Sequence, residues 1–354
     1  MNWATAVLLA GAVLATAAAT VDAGEGEYWF HPKCTPLATD HMGPFVLLAD
    51  GRILSVTRHH AIVSSDEGKT WAKTPLFKDS KQFRVRSERA LFRTRDGVIL
   101  LAFLNQAELT RGKLLIGDPN ELAKWQLPAY IVRSLDDGKT WEEPLKLQDG
   151  WCGAVRHMIQ TRTGRIVLAC QLLASDPGRQ VTFTYASDDE GKTWRRSNII
   201  DLGGRGGEVG AIEGTLVELR DGRLWMLCRT VWGRFWEAFS ADGGLSWRVI
   251  RPSNFEASSS PGMLMRLASG RLVLAWNRFA KGREKRVGMR EELSIAFSND
   301  DGKTWTEPVV FVGGHGKWKS YPYILERRPG ELWLTAMQGK VRHRLFEKDF
   351  VNSK

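Results

Sequence analysis

Apolar positions along the chain fall into one recurring motif: an apolar strand, a tight turn containing glycine, and a second apolar strand. It occurs six times, at residues 45–56, 91–103, 158–170, 216–228, 264–276 and 324–336, with turn glycines Gly51, Gly97, Gly164, Gly222, Gly270 and Gly330. After each of the first five comes an octad of pattern S-x-D-x-G-x-[ST]-W, at Ser64–Trp71, Ser134–Trp141, Ser187–Trp194, Ser240–Trp247 and Ser298–Trp305. The octad aspartates are 70, 53, 53 and 58 positions apart, a period typical of stacked units that cannot bury their faces alone. Each unit reads as strand A, turn, strand B, connection, strand C, octad turn and strand D, which is a four-stranded antiparallel blade. Six such units predict an all-β, six-bladed propeller.

The octad has the chemistry of a hairpin turn. Its aspartate can accept from backbone amides ahead of it, its glycine supplies a positive φ without steric cost, and its tryptophan can bury a large face against a neighbouring unit. Part of the count of 15 tryptophans is thereby explained. The octads hold the fold, and they lack the acidic bidentate ligand of a calcium loop. The sixth unit has no octad, so its blade lacks a strand. Residues 27–34 are predicted to supply it, with Tyr28 to Phe30 closing the ring in the last blade. The long connection of the second unit, about 105–127, contains Asp118-Pro119-Asn120-Glu121-Leu122, a capped helix start expected to wall the pocket.

Upstream of the repeats, Ala4–Ala19 is one apolar run ending in small residues before Val21-Asp22-Ala23, which predicts a signal peptide over 1–23 and a propeller over 24–354. Since no Lys or Arg precedes the run, a retained N-terminal anchor is the alternative. Secreted or periplasmic export follows from the first reading. Losing 1–23 removes Asp22 and no base, moving the net charge from +10 to +11. A basic surface attracts anionic ligands, although scattered charge also serves solubility alone. No nucleic-acid motif is present and no stable membrane insertion is expected; the oligomeric state is open. Cys170 and Cys228 lie in apolar runs, which favours free thiols over disulfides for the four cysteines, and no cofactor motif or metal-ligand spacing exists.

In a propeller the entrances of the A strands and the exits of the B strands meet on one face around the axis. Counting from the turn glycines brings Glu88, Glu213 and Tyr321 to that face, along with Arg89 and Arg156, and Arg58 and Arg229 at the B-strand exits. Satisfied ion pairs lining a wet channel are one reading of such a cluster. The other is a pocket for an anionic ligand, because guanidinium forks match carboxylates bidentately.

These residues resemble the sialidase (neuraminidase) family and its wider group of Asp-box, BNR-repeat propellers, and the octads carry that resemblance over nearly the whole chain after residue 23. The resemblance implies a site with three arginines gripping a sialic acid carboxylate, a Tyr nucleophile paired with a Glu, and an Asp acid/base. Glu213, with Arg229 sixteen residues on, resembles the family's Glu and second arginine; Arg290 resembles the third, and Tyr321 the nucleophile. The chain departs from the family twice. His41-Met42-Gly43-Pro44-Phe45 stands where an Arg-Ile-Pro stretch opens blade one, and Arg58-His59-His60-Ala61 carries no carboxylate where the acid/base Asp belongs. Arg58 and Arg89 are the candidate replacements for binding, and Glu88, His59 or His60 for proton donation. The expected activity is an exo-acting glycoside hydrolase of sialidase type, cleaving a terminal sialic acid or related acidic sugar from a glycan or glycoconjugate by a retaining Tyr/Glu mechanism, without a cofactor. The alternatives are a non-catalytic carbohydrate-binding propeller and a divergent hydrolase or lyase of uronic or sulfated polysaccharide.

Overall fold

The computed structural model describes residues 28–111, 121, 124–175, 178–279 and 287–351. The leader expected over 1–23 and the helix start at Asp118 lie outside these residues, apart from Glu121. Among the described residues, no helix is long and apolar enough to cross a membrane.

Six antiparallel sheets follow one another in chain order, and each hairpin read from the sequence forms strands A and B. Blade 1 comprises Val46–Leu47, Ile53–Val56, His60–Ser64 and Ala72–Pro75; blade 2 comprises Val85–Arg93, Ile99–Asn105, Ala129–Ser134 and Leu145–Gln148. Blade 3 is built from Val155–Gln160, Ile166–Ser175, Gly178–Ser187 and Arg195–Arg196, and blade 4 from Ile212–Glu218, Leu224–Arg229, Arg234–Ser240 and Val249–Glu256. Blade 5 holds Met263–Arg266, Leu272–Trp276, Leu293–Ser298 and Val309–Gly313; blade 6 holds Ser320–Arg328, Glu331–Gln338 and Arg342–Phe346.

The chain start corrects one expectation. Trp29–Phe30 does not complete blade 6 but pairs with the outer strand of blade 5, Trp29 opposite Gly313 and Phe30 opposite Val312. Gly313 admits the indole: a Cβ there would lie 2.4 Å from the Trp29 ring. The turn after Phe30 then reverses the chain, with Cys34 N donating to His31 O at 2.8 Å. Thr35–Pro36 supplies the missing strand of blade 6, opposite Arg344 and His343. Proline suits this outermost position because no further strand needs its absent N–H. One short segment thus ties two blades together, and the Phe30 ring stacks on His343 with centroids 3.6 Å apart.

The apolar core is not central but divided among the seams between blades. Blades 1 and 2 share one buried cluster around Phe83, Phe103 and Leu54, blades 2 and 3 another around Leu100 and Phe183, and so on around the ring. The closing seam between blades 6 and 1 is thinner, with Phe45, Ile53, Leu325 and Trp333. Ion pairs from Arg327 and Arg328 to Glu67, both 2.8 Å, reinforce it at the surface.

The octads pin these seams. In the first, Asp66 Oδ1 accepts from the Thr70 amide at 2.9 Å and Oδ2 from the Thr70 hydroxyl at 2.7 Å, while Ser64 Oγ donates to Asp66 at 2.8 Å. Those Thr70 contacts, then Ser64, hold the Asp66 carboxyl down to about 2. Each octad glycine from the second on lies against the preceding blade's strand B, so a Cβ at Gly191 would meet Leu100 at 2.6 Å. Four octad indoles donate to their own glycine carbonyl, but Trp247 is fully buried and donates instead to Thr184 Oγ1 of blade 3 at 2.9 Å. All four cysteines are free and buried.

Candidate active site

Strand A loses its regular pairing near the axis in several blades. The register shifts between Val85 and Arg89 in blade 2, between Val155 and Met158 in blade 3, and between Ile212 and Thr215 in blade 4. Bulges of this kind re-aim side chains. Glu213, inside the blade 4 bulge, and Tyr321, second residue of strand A in blade 6, have φ of +48° and +63°. Neither is glycine, so both carry backbone strain that the surrounding structure must enforce. Part of that enforcement is visible: Glu213 N donates to Gln171 Oε1 of blade 3 at 2.8 Å.

These two residues, 108 positions apart, meet on the axis. Tyr321 Oη donates to Glu213 Oε1 at 2.9 Å. Arg229, at the exit of strand B in blade 4, donates from Nη1 to Glu213 Oε2 at 2.9 Å and to Tyr321 Oη at 3.2 Å. Its Nε reaches Ser259 Oγ at 3.0 Å and its Nη2 reaches the exposed Glu208 at 2.8 Å. Tyr321, Glu213 and Arg229 are 8%, 6% and 4% exposed, so the cluster lies in low dielectric where each interaction is strengthened.

Two further guanidiniums flank the Tyr321 ring. Arg290 Cζ lies 5.4 Å from its centroid and 4.9 Å from that of Trp318, with Nη1 donating to Gln338 Oε1 at 3.0 Å and Nη2 to Ser259 O at 2.8 Å. Arg156 Cζ lies 5.1 Å from the Tyr321 ring and 4.7 Å from Tyr323, and its Nη2 donates to Pro322 O at 2.6 Å. Among the described residues, Arg290 Nε and Arg156 Nε and Nη1 are buried without a hydrogen-bond partner. Burial, then the Glu213 and Glu88 carboxylates, push the Tyr321 phenol well above its ordinary range, while Arg229 and Arg290 oppose that shift.

Glu88 belongs to the same electrostatic cluster. It is buried in the blade 2 bulge, and Oε1 has no partner among the described residues. Burial first, and the neighbouring Glu213 second, push its carboxyl up to about 8 against the pull of Arg156, Arg86 and Arg229. A carboxylic acid neutral at pH 7 can donate a proton.

The remaining residues singled out in the sequence sit elsewhere. Arg89 spends its guanidinium on carbonyls of blades 1 and 2, on Val56 O at 2.7 Å, Ser87 O at 2.9 Å and Gly43 O at 3.4 Å. Arg58 is exposed and, with Arg89, lines a cavity of about 620 Å³ beside the axial cluster. His59 and His60 lie in a tight turn closed by Thr57 N to His60 O at 2.7 Å, and neither lines that cavity. The connection after blade 2 strand B forms one 3-10 turn at Gln106–Glu108, and Gln106, Leu109 and Arg111 do wall the cavity. Arg156, Glu208, Ser259 and Gln338 received no role in the sequence reading. Arg156 stood in the convergent column and Ser259 in a polar run, Ser258-Ser259-Ser260, just before blade 5, so both had a usable signal.

Known proteins give the same architecture. Residues 116–334, more than half of the chain, match the family profile of the BNR repeat-like domain. A sialidase of Micromonospora viridifaciens is 28% identical over 220 residues, which are 56% of this chain and 31% of that protein; the chain thus spans about a third of that relative. Among solved structures, a Dyadobacter fermentans protein of unknown function superposes with a TM-score of 0.62 at 19% identity, over 89% of this chain and 98% of the other. A Streptococcus pneumoniae sialidase gives 0.61 at 13% identity, over 91% and 71%. The intramolecular trans-sialidase of Ruminococcus gnavus gives 0.59 at 14% identity, over 90% and 97%. The chain therefore belongs to the BNR repeat-like family, as a six-bladed propeller of the sialidase-like superfamily.

Proposed function

We propose that this protein is an exported, exo-acting glycoside hydrolase of sialidase type that removes a terminal sialic acid or related acidic sugar from a glycan by a retaining mechanism. The observation that carries this reading is the 2.9 Å hydrogen bond from Tyr321 Oη to Glu213, with Arg229 3.2 Å from the same oxygen and Arg290 beside the ring. A phenol in that setting is scarcely ionised, so it needs a base at the moment of attack. Tyr321 Oη attacks the anomeric carbon while its proton passes to Glu213, and Glu88 protonates the departing oxygen as the glycosidic bond breaks. In the second half Glu88 takes a proton from water, the water oxygen replaces Tyr321 on the anomeric carbon, and Glu213 returns the proton to the phenol. Two displacements give retention, and a neutral nucleophile spares an anionic sugar from meeting a carboxylate. Arg229 and Arg290 bind the sugar carboxylate, a role supported for Arg290 by its unpartnered Nε and joined by Arg156, whose Nε and Nη1 are also unpartnered among the described residues.

Release of fluorophore from an aryl α-sialoside by the wild type and by Tyr321→Phe tests the reading. The proposal expects turnover that the variant loses. Absence of turnover in both proteins removes it and turns attention to uronic and sulfated polysaccharides.

A further inference from the structure

The cavity of about 620 Å³ lined from blades 1, 2 and 6 has an unusual wall: Arg58, Arg86, Arg89, Arg111 and Arg342, with Asp40 the one carboxylate. Among the described residues, none of these arginines makes an ion pair within 4.0 Å. Two are pinned by neutral groups only. Arg89 is buried against three backbone carbonyls, and Arg342 donates to Ala336 O at 2.8 Å, Val341 O at 2.6 Å and Asp40 O at 3.3 Å. Arg111 is held over two indoles, with Cζ 5.7 Å from the Trp125 centroid and 5.5 Å from that of Trp151. Carbonyls and rings fix these cations without neutralising them, so the cavity is preorganised for an oxyanion and repels a second cation. Its size lies within the ordinary range of ligand sites.

Its position says which part of a ligand it faces. Arg86, Ser87 and Arg89 line it from the same bulge that carries Glu88, whose carboxyl feels the Arg86 charge. In the reading proposed above, on which this inference rests, Glu88 protonates the departing oxygen and therefore stands on the leaving-group side. That reading assigns the cleaved sugar's own carboxylate to Arg229 and Arg290, neither of which lines this cavity. We propose that the arginine-lined cavity is a leaving-group subsite for an oxyanion, a sulfate ester or a carboxylate, carried by the sugar next to the one cleaved.

Two sialosides with a galactose leaving group, one bearing a 6-sulfate and one unsubstituted, and a third with a galacturonate leaving group, test this on the full chain. The expected result is a kcat/KM at least about tenfold higher for the charged leaving groups, and their ranking separates sulfate from carboxylate. Arg111→Gln lowers that preference and Arg111→Gln/Arg342→Gln abolishes it, while turnover of an aryl sialoside, whose leaving group has no oxyanion, stays within about twofold of wild type. Equal kcat/KM for charged and neutral leaving groups, or a preference that survives the double variant, overturns the inference. If no sialoside is turned over, equilibrium binding of galactose 6-sulfate, galacturonate and galactose to wild type and double variant still reads the cavity. Selective binding lost in the double variant then keeps the subsite while the hydrolase reading fails, and indiscriminate binding removes the subsite.

Discussion

Tyr321 and Glu213 are hydrogen-bonded at 2.9 Å from two backbones that both occupy the left-handed region, at φ of +63° and +48°. Ordinary strand geometry at either position would aim its side chain elsewhere. The strain is maintained by the buried network around it, from the Gln171 contact to the Glu213 amide through the Arg229 fork. Such cost at two partnered residues of a single site is expected where position serves chemistry.

The proposed mechanism gives Glu213 two separable jobs. Glu213→Gln keeps a hydrogen-bonding group beside Tyr321 but removes the base, so the rate on an aryl sialoside falls by about two to four decades with the fold intact. Glu213→Ala leaves the buried Arg229 without its buried partner and costs about 3–5 kcal/mol of stability. Steady-state kinetics and denaturant titration of both variants separate the two effects. Equal rates for wild type and Glu213→Gln would contradict the role as base.

Glu88 should leave its mark on the pH dependence of both stability and rate. The folded protein keeps it protonated up to about 8, whereas the unfolded chain ionises near 4.5, so the contribution of Glu88 to stability is fully present below about 4.5 and is lost as pH rises toward about 8. Glu88→Gln has no such loss. Its melting temperature relative to wild type therefore rises between pH about 4 and about 8, a trend that scanning calorimetry across this window checks. With a poor leaving group, wild-type kcat/KM falls above about 8 as the proton donor ionises, and Glu88→Gln lacks that limb and is slower throughout.

The octad tryptophans are not equivalent. Trp247 is 1% exposed and bonded to Thr184 across the seam, whereas Trp71 is half-buried and bonded within its own octad. Trp247→Ala is expected to cost about 3–5 kcal/mol, and Trp71→Ala clearly less. Chemical denaturation of the pair decides this, and equal losses would contradict the seam assignment.

The blade architecture was legible because its signals are local: a turn glycine between two apolar runs and an octad whose own atoms bond one another. Ring closure was misplaced by a few residues because Trp29 and Thr35 are assigned by partners about 280–310 positions away, Gly313 and Arg344, that no local pattern exposes. In the site, Glu213 and Tyr321 could be placed together because they occupy equivalent positions at the strand A entrances, and Arg229 because strand B of its blade exits on the same face. The turned-away roles of Arg89 and His59 could not, since a bulge or a tight turn redirects a side chain without altering the residue pattern. Arg156 was visible as a position, but its place beside the Tyr321 ring depends on how blades 3 and 6 face each other across the axis.

The most direct test of the central claim is covalent trapping. A sialosyl fluoride bearing a second fluorine on the adjacent ring carbon slows both displacements, so a glycosyl-enzyme accumulates and is read by intact mass and peptide mapping. A single sialosyl adduct on Tyr321, absent from Tyr321→Phe, is the predicted result. An adduct on another residue, or turnover of aryl sialoside that persists in Tyr321→Phe, would contradict the account.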